Sequence, residues 1–110
     1  MPEKYLPIGT VVTLKEATVK LMITGFCMIN NENPDSGVYD YCGIPYPAGE
    51  ISVDGKALFN HDQIDTINHM GMESEENTEY INTIKMIISG ANPKQAESPV
   101  FPETLYEELL

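Results

Sequence analysis

The first half of the chain carries apolar and β-branched residues in short runs that are separated by turn-forming residues. Residues 9–14 are rich in β-branched side chains and predict a first strand. Residues 18–29 form the longest such run, and Leu21 and Ile23 alternate with polar neighbours, as in a strand buried on one face. Gly25 interrupts this run, which predicts a bulge or a bend.

The next run, at residues 38–44, predicts a third strand after a loop of turn-forming residues. Pro45 and Pro47 are expected to end this strand, because proline cannot donate to the hydrogen-bond ladder of a sheet. Residues 50–53 and 56–59 then predict a short hairpin around the Asp54-Gly55 turn.

A polar corner follows at residues 60–63. Asn60 can cap a single helical turn, and Gln63, three residues later, can reach back to it as in a capping box. Residues 64–70 fit the spacing of a helix or of a strand. The turn-forming residues on both sides favour a last strand.

The most regular pattern in the chain lies between residues 74 and 89 and predicts an amphipathic helix. Ser74 suits the N-cap, and the two glutamates after it suit the positive end of the helix dipole. Gly90 and the following Asn-Pro pair predict its end. One face of this helix is apolar and consists of Tyr80, Ile81, Ile84, Ile87 and Ile88.

These elements predict an α+β protein that is mainly β. Residues 1–72 are expected to form a small, partly open β-barrel of the SH3-like kind, with five or six strands and one helical turn before the last strand. The amphipathic helix, within residues 73–90, then packs on the barrel or on a second copy of the chain. Residues 91–110 are predicted to be a Pro-containing acidic tail, in which 93–102 is a mobile linker and 104–110 can form one or two helical turns.

The charge narrows the range of partners. The 110 residues carry a formal net charge of -11, with six scattered lysines and no arginine. Nucleic acids and anionic membrane surfaces are therefore not expected partners, because both are bound mainly through clustered Lys and Arg. The chain has no apolar run long enough to span a membrane and no leader-like N-terminus, so we expect a cytoplasmic protein.

The chemistry-bearing side chains are few. Cys27 and Cys42 lack the spacing of a zinc or redox motif and are expected to be buried free thiols. If residues 61–69 were one continuous helix, His61, Asp65 and His69 would stack on one face, as metal ligands can. The predicted turn and strand separate them, so no metal centre, cofactor or catalytic residue is predicted.

A structural role is the simpler interpretation of the polar residues around this corner. Asn60, His61, Asp62 and Gln63 are expected to satisfy backbone groups at a tight turn. Asp40 shares the parity of Val38 and Cys42 in the third predicted strand, so it is expected to face inward. A buried carboxylate needs hydrogen-bond donors around it, and we predict that Asp40 finds them in backbone N–H groups or a tyrosine hydroxyl.

Five segments of the chain follow one another in a specific order and spacing: Leu6-Pro7-Ile8-Gly9-Thr10-Val11-Val12, Lys20-Leu21-Met22-Ile23-Thr24-Gly25, Tyr39-Asp40-Tyr41, Tyr46-Pro47-Ala48-Gly49 and Phe59-Asn60-His61-Asp62-Gln63-Ile64-Asp65. Together they resemble a family of small proteins of unknown function from Gram-positive bacteria, often encoded near type VII secretion loci and their LXG-type toxins. The resemblance covers about the first two-thirds of the chain, and Ala48 stands where this family would lead us to expect Glu. It implies a cytoplasmic accessory protein that binds or targets secreted effectors, and it implies no catalytic residues.

We therefore predict a non-enzymatic protein-interaction module, an adaptor or targeting factor linked to type VII secretion effectors, whose partner is an effector or toxin. A homodimer is compatible with the same pattern. One alternative is a metal-dependent or hydrolytic enzyme centred on His61 and Asp65. Another is an immunity protein whose negative charge masks a basic toxin surface. The expected partner-binding residues are Tyr80, Ile84, Ile87, Leu105, Tyr106 and Leu109.

Overall fold

Five strands and one helix make up the fold. The structure, a computed structural model, describes residues 2–50, 52–53 and 55–101. The elements in chain order are β1 (Val11–Leu14), β2 (Lys20–Ile29), β3 (Val38–Tyr46), β4 (Ala57–Phe59), β5 (Ile64–His69) and α1 (Glu75–Ala91). Single turns of 3-10 helix precede β3, at Pro34–Ser36, and β5, at His61–Gln63. The predicted α+β class, mainly β with a C-terminal helix, is confirmed.

The strands form one antiparallel sheet in the order β4-β3-β2-β1-β5. This sheet does not close into a barrel: β4 and β5 are its two edge strands. The single helical turn before the last strand is present, as predicted. Gly25 lies at a register shift between β2 and β3, and a Cβ added there would meet Cys42 Sγ at 2.8 Å. The register shift confirms the predicted bulge, and the close approach of the Cys42 side chain favours a glycine at this position.

The predicted hairpin at residues 50–59 is wrong. Glu50, Ser52 and Val53 lie outside any strand, while Ile51 and Asp54 fall outside the described residues. β4 pairs with β3 instead, through Tyr41, Cys42 and Gly43. The expected end of β3 at Pro45 is also wrong, since β3 continues to Tyr46. β4 pairs with β3 only as far as Gly43. Because Pro45 lies beyond these paired residues, its lack of an N–H group removes no hydrogen bond to β4.

Helix α1 packs on the sheet of its own chain. Ser74 caps it, as predicted, by accepting a hydrogen bond from the Asn77 backbone N–H at 3.0 Å. Asn92 ends it in the left-handed conformation, with φ 46°. Ile81 and Ile84 are buried in the main core, which also contains Leu6, Tyr41, Phe59 and Ile64.

The residues after α1 lie along the sheet. The prolines had predicted a mobile linker at 93–102, but this part of the chain pairs with β3 and β4. Val100 forms an antiparallel bridge with Leu58 of β4, with N···O distances of 3.0 and 2.9 Å. Gln95 forms a parallel bridge with Val38 of β3. We call residues 92–101 the C-terminal segment; it covers the β4 edge of the sheet.

Candidate functional site

Polar groups from three separate segments of the chain converge on a buried carboxylate in β3. Asp40 is only 5% exposed. Its Oδ1 accepts from Lys4 Nζ at 3.1 Å and from Gln95 Nε2 at 3.2 Å, and its Oδ2 accepts from the His61 backbone N–H at 2.9 Å. Three segments that are distant in sequence therefore meet at one side chain, and the charge of the carboxylate is fully partnered.

His61 lies beside this carboxylate and uses both of its ring nitrogens. Nε2 is 2.8 Å from the Pro2 carbonyl oxygen, and Nδ1 is 2.8 Å from the Tyr41 hydroxyl. A carbonyl oxygen can only accept, so Nε2 carries the proton. In the neutral imidazole Nδ1 is then the acceptor, and Tyr41 donates its hydroxyl proton to it. The Tyr41 oxygen in turn accepts from the Leu6 backbone N–H at 3.0 Å.

These contacts fasten the N-terminal residues 2–6 to the sheet. We call the set formed by Lys4, Asp40, Tyr41, His61 and Gln95 the Asp40 cluster. A shallow cleft beside it is lined by Pro2, Glu3, Lys4, His61 and Lys85. Both nitrogens of the imidazole and both oxygens of the carboxylate already have partners within the chain, so the arrangement holds these segments together.

Asn60 and Gln63 belong to the corner that precedes β5, and they bind the C-terminal segment. They form a capping box around the 3-10 turn, in which Gln63 Oε1 accepts from the Asn60 N–H at 2.7 Å. The Asn60 side chain donates to the Ala96 carbonyl oxygen at 2.6 Å, and Gln63 Nε2 donates to the Glu97 carbonyl oxygen at 2.7 Å. Asn60 Oδ1 also accepts from the Asp40 N–H at 3.0 Å.

The weak metal candidates do not converge. His61 lies in the 3-10 turn, while Asp65 and His69 are exposed residues of β5. Within residues 2–50, 52–53 and 55–101, no group of three or more His, Cys, Asp or Glu side chains is placed to hold a metal ion. Asp62, the remaining polar residue of the corner, is exposed.

Two tyrosines of the core have strongly raised pKa values. Burial is the main cause for both Tyr5 and Tyr41, and the negative charge of Asp40 adds to it. Burial also raises the pKa of the Cys27 thiol, whose Sγ lies 3.8 Å from the Tyr5 hydroxyl. Both cysteines are free. Because these pKa values are raised, Tyr5, Tyr41 and Cys27 stay protonated near neutral pH, so none of these three is an activated nucleophile or a general base.

The predicted partner-binding residues divide between core and surface. Ile84 is 8% exposed and belongs to the core, whereas Tyr80 and Ile87 are 60% and 62% exposed. Leu105, Tyr106 and Leu109 lie outside the described residues. Sequence reasoning missed Met86, which is 76% exposed, although its apolar character on the polar side of the helix is visible in the sequence. It also missed Lys4 and Gln95, whose pairing with Asp40 spans 36 and 55 residues.

The fold and the site define a class: a small α+β domain with an open antiparallel sheet, whose polar cluster binds its own terminal segments. Among the described residues no helix has the length and apolar character that a membrane crossing needs. Residues 5–80 match the model of a protein family described as a domain of unknown function, DUF4176. Since this match covers more than half of the chain, the protein belongs to that family. Neither the comparison with curated proteins nor that with solved structures finds a match.

Proposed function

We propose that the protein is a non-enzymatic interaction module that acts in the cytoplasm as an adaptor or targeting factor for type VII secretion effectors. The observation that carries the proposal is the outward side of α1. There Tyr80, Met86 and Ile87 are each 60% exposed or more, on a helix whose other face is already buried. Large apolar side chains grouped on one helix are typical of surfaces that bind proteins.

The Asp40 cluster supports the same interpretation from another direction. Its titratable groups are engaged in hydrogen bonds that fasten residues 2–6 and the C-terminal segment to the sheet. A catalytic site needs groups that face a substrate, and the donors and acceptors of this cluster face the chain itself. The cluster therefore supports a stable scaffold, and α1 supplies the contact surface.

The proposal is tested by co-purification with an effector that carries an LXG-type export domain and is encoded beside the gene. Ile87→Ser removes an exposed apolar contact without touching the core, so we expect the affinity for the effector to fall about tenfold or more. Val53→Ser is the matched control, because Val53 is an 87% exposed apolar residue of the loop before β4 and does not belong to α1. Equal recovery of the effector by both variants would contradict the proposal.

The tail contributes a second arm of this test. Removing residues 103–110 deletes Leu105, Tyr106 and Leu109 but keeps Val100, which pairs with Leu58, and Phe101, which packs against the core. This truncated protein is expected to keep its unfolding midpoint and to bind the effector more weakly. If it bound as tightly as the full chain, the tail would not be part of the contact.

A further inference from the structure

Exposed residues on one side of α1, beside the face that packs on the core, follow a heptad spacing. Glu76, Tyr80, Thr83, Ile87 and Gly90 are separated by four, three, four and three residues and are all exposed. We call this set the α1 seam. A repeat of this kind averages 3.5 residues and is the spacing by which one helix packs along another. The buried residues of the helix, Ile81 and Ile84, lie on a neighbouring face.

The sizes of the side chains along the α1 seam suit a second helix. Tyr80 and Ile87 are large and protrude, while Thr83 and Gly90 between and beyond them are short. Gly90 lies inside α1, where glycine is less favourable than alanine, yet a Cβ added there would meet no atom within 4 Å. No residue that the structure describes packs closely enough against this position to require a glycine, whereas the close approach of a second helix would favour one.

The charge beside the α1 seam has one sign. Glu75 and Glu79 border the seam on the side that faces away from the sheet, and Glu76 lies within it. Lys85 is the only basic residue of α1; it lies on the opposite side of the helix and pairs with Glu3 at 3.8 Å. A partner that covers the seam would therefore be favoured by Lys or Arg next to its own apolar residues.

The two edges of the sheet are less suited to binding a partner. Val100 and Leu58 exchange backbone hydrogen bonds that cover the β4 edge. β5 pairs with β1 through two register shifts, and it carries Asp65 on its exposed side. Irregular pairing and charge are the means by which proteins protect an edge strand from pairing with another chain. A helix on the α1 seam is therefore favoured over a strand added to the sheet.

We propose, resting on the function proposed above, that the α1 seam binds an amphipathic helix of the partner protein whose apolar seam is flanked by lysine or arginine. A second copy of this chain is disfavoured as the occupant, because each copy carries a net charge of -11 and the seam has no basic residue of its own to offer. The partner helix lies alongside Tyr80, Thr83 and Ile87, and its basic flank faces Glu75 and Glu79.

The test uses the full chain and two synthetic helical peptides of three heptads each. Both peptides carry leucine at the two apolar positions of each of their own heptads. One peptide has lysine at the positions that flank these leucines, and the other has glutamate there. Fluorescence anisotropy is expected to show binding of the lysine-flanked peptide, and at least about a tenfold weaker affinity for the glutamate-flanked one. The affinity for the lysine-flanked peptide is expected to fall as salt is added.

Gly90→Leu separates a binding role from a structural one. This substitution fills the α1 seam with a good helix former, so the thermal midpoint should stay the same or rise while the affinity for the lysine-flanked peptide falls about tenfold. Val53→Ser is the control for both quantities. Lysine-flanked peptide affinity that is unchanged by Gly90→Leu and by Ile87→Ser would overturn the proposal, since binding would then be non-specific attraction to an acidic protein.

Three further outcomes separate the failure of this proposal from the failure of the proposed function. If Ile87→Ser abolished effector capture but both peptides bound equally well, the basic helix would be excluded and the interaction module would stand. If sedimentation showed a dimer that Ile87→Ser dissociates, a second copy would occupy the seam and the proposal would fail. Loss of peptide binding in Ile87→Ser together with normal effector capture would contradict the proposed function.

Discussion

Asp40 shows how a single buried side chain can connect distant parts of this small domain. Its two oxygens accept from residues 4, 61 and 95, which come from the N-terminal segment, the 3-10 turn and the C-terminal segment. Lys4 is 41% exposed at its side chain, so its ion pair with Asp40 is screened by solvent and contributes little. The bonds from the His61 N–H and Gln95 are therefore the more important ones.

Asp40→Asn is expected to lower the free energy of unfolding by about 2 kcal/mol. The asparagine oxygen can still accept from the His61 N–H, but its NH₂ group then faces the donors of Lys4 and Gln95. Urea denaturation of the two proteins measures the difference. Asp62→Asn is the control. Because Asp62 is exposed, this substitution should change the free energy of unfolding by no more than about 0.5 kcal/mol. Equal effects of the two substitutions would rule out the organising role of Asp40.

At the scale of elements, the C-terminal segment changes what the sheet can do. Without it β4 would be an exposed edge of only three residues, a short strand that pairs with β3 alone. The segment supplies the missing partner through Val100, while Tyr39 donates from its hydroxyl to the Ser98 carbonyl oxygen at 2.6 Å. Gly37 allows the close approach: its φ is +111°, and a Cβ there would lie 2.8 Å from Lys94 O and from Ala96 N.

Asn60→Ala is expected to loosen the C-terminal segment before it unfolds the domain. The substitution removes the donor to the Ala96 carbonyl oxygen and the acceptor of the Asp40 N–H, both buried. Amide hydrogen exchange at Ala96 and Val100 should accelerate about tenfold or more, because each is protected by a bond to the sheet. Asn68→Ala, on the exposed side of β5, should leave these two amides unchanged. Protection that persisted in Asn60→Ala would contradict this account.

At the scale of the whole molecule, the sheet, the N-terminal residues and α1 meet in the main core around a group of aromatic rings. Tyr5, Phe26, Tyr41 and Phe59 lie within 5.4–6.1 Å of a neighbouring ring centroid, mostly edge-on or tilted. Tyr80 of α1 extends this group to the surface, with its centroid 6.3 Å from that of Phe26. Such pairs stabilise a core beyond the area that they bury.

Because two of these rings carry hydroxyl groups in the core, the fold is expected to lose stability at alkaline pH. Burial raises the pKa of Tyr5 and Tyr41 above the ordinary value of 10.0, so above pH 10.0 the unfolded chain has lost protons that the folded chain keeps. The free energy of unfolding therefore falls as pH rises past that value, and is unaffected by these groups below it. Urea denaturation at about pH 8 and about pH 11 measures the decrease. Tyr5→Phe should show a smaller decrease, and an equal one would contradict the assignment.

Several elements of this fold were predictable because their signals are local. Ser74 and the isoleucines after it define α1 within a few residues, and Asn60 with Gln63 defines the 3-10 turn. Runs of β-branched and apolar residues between turn signals likewise predicted β1, β2 and β3. The hairpin at residues 50–59 was wrong because Asp54-Gly55 is a strong turn signal, and β4 pairs with a strand that precedes this turn.

Taken by itself, the sequence determined the mainly β class, the C-terminal helix, its N-cap and the negative charge, because each depends on composition or on neighbours within one turn. Only the tertiary structure decided that Asp40 meets Lys4 and Gln95, that residues 92–101 cover β4, and that Ile84 is buried while Tyr80 and Ile87 are exposed. Those outcomes depend on contacts across 36 to 59 residues, for which no local pattern carries a signal. The apolar stripe of α1 was visible from the start, and packing divided it into a core face and the α1 seam.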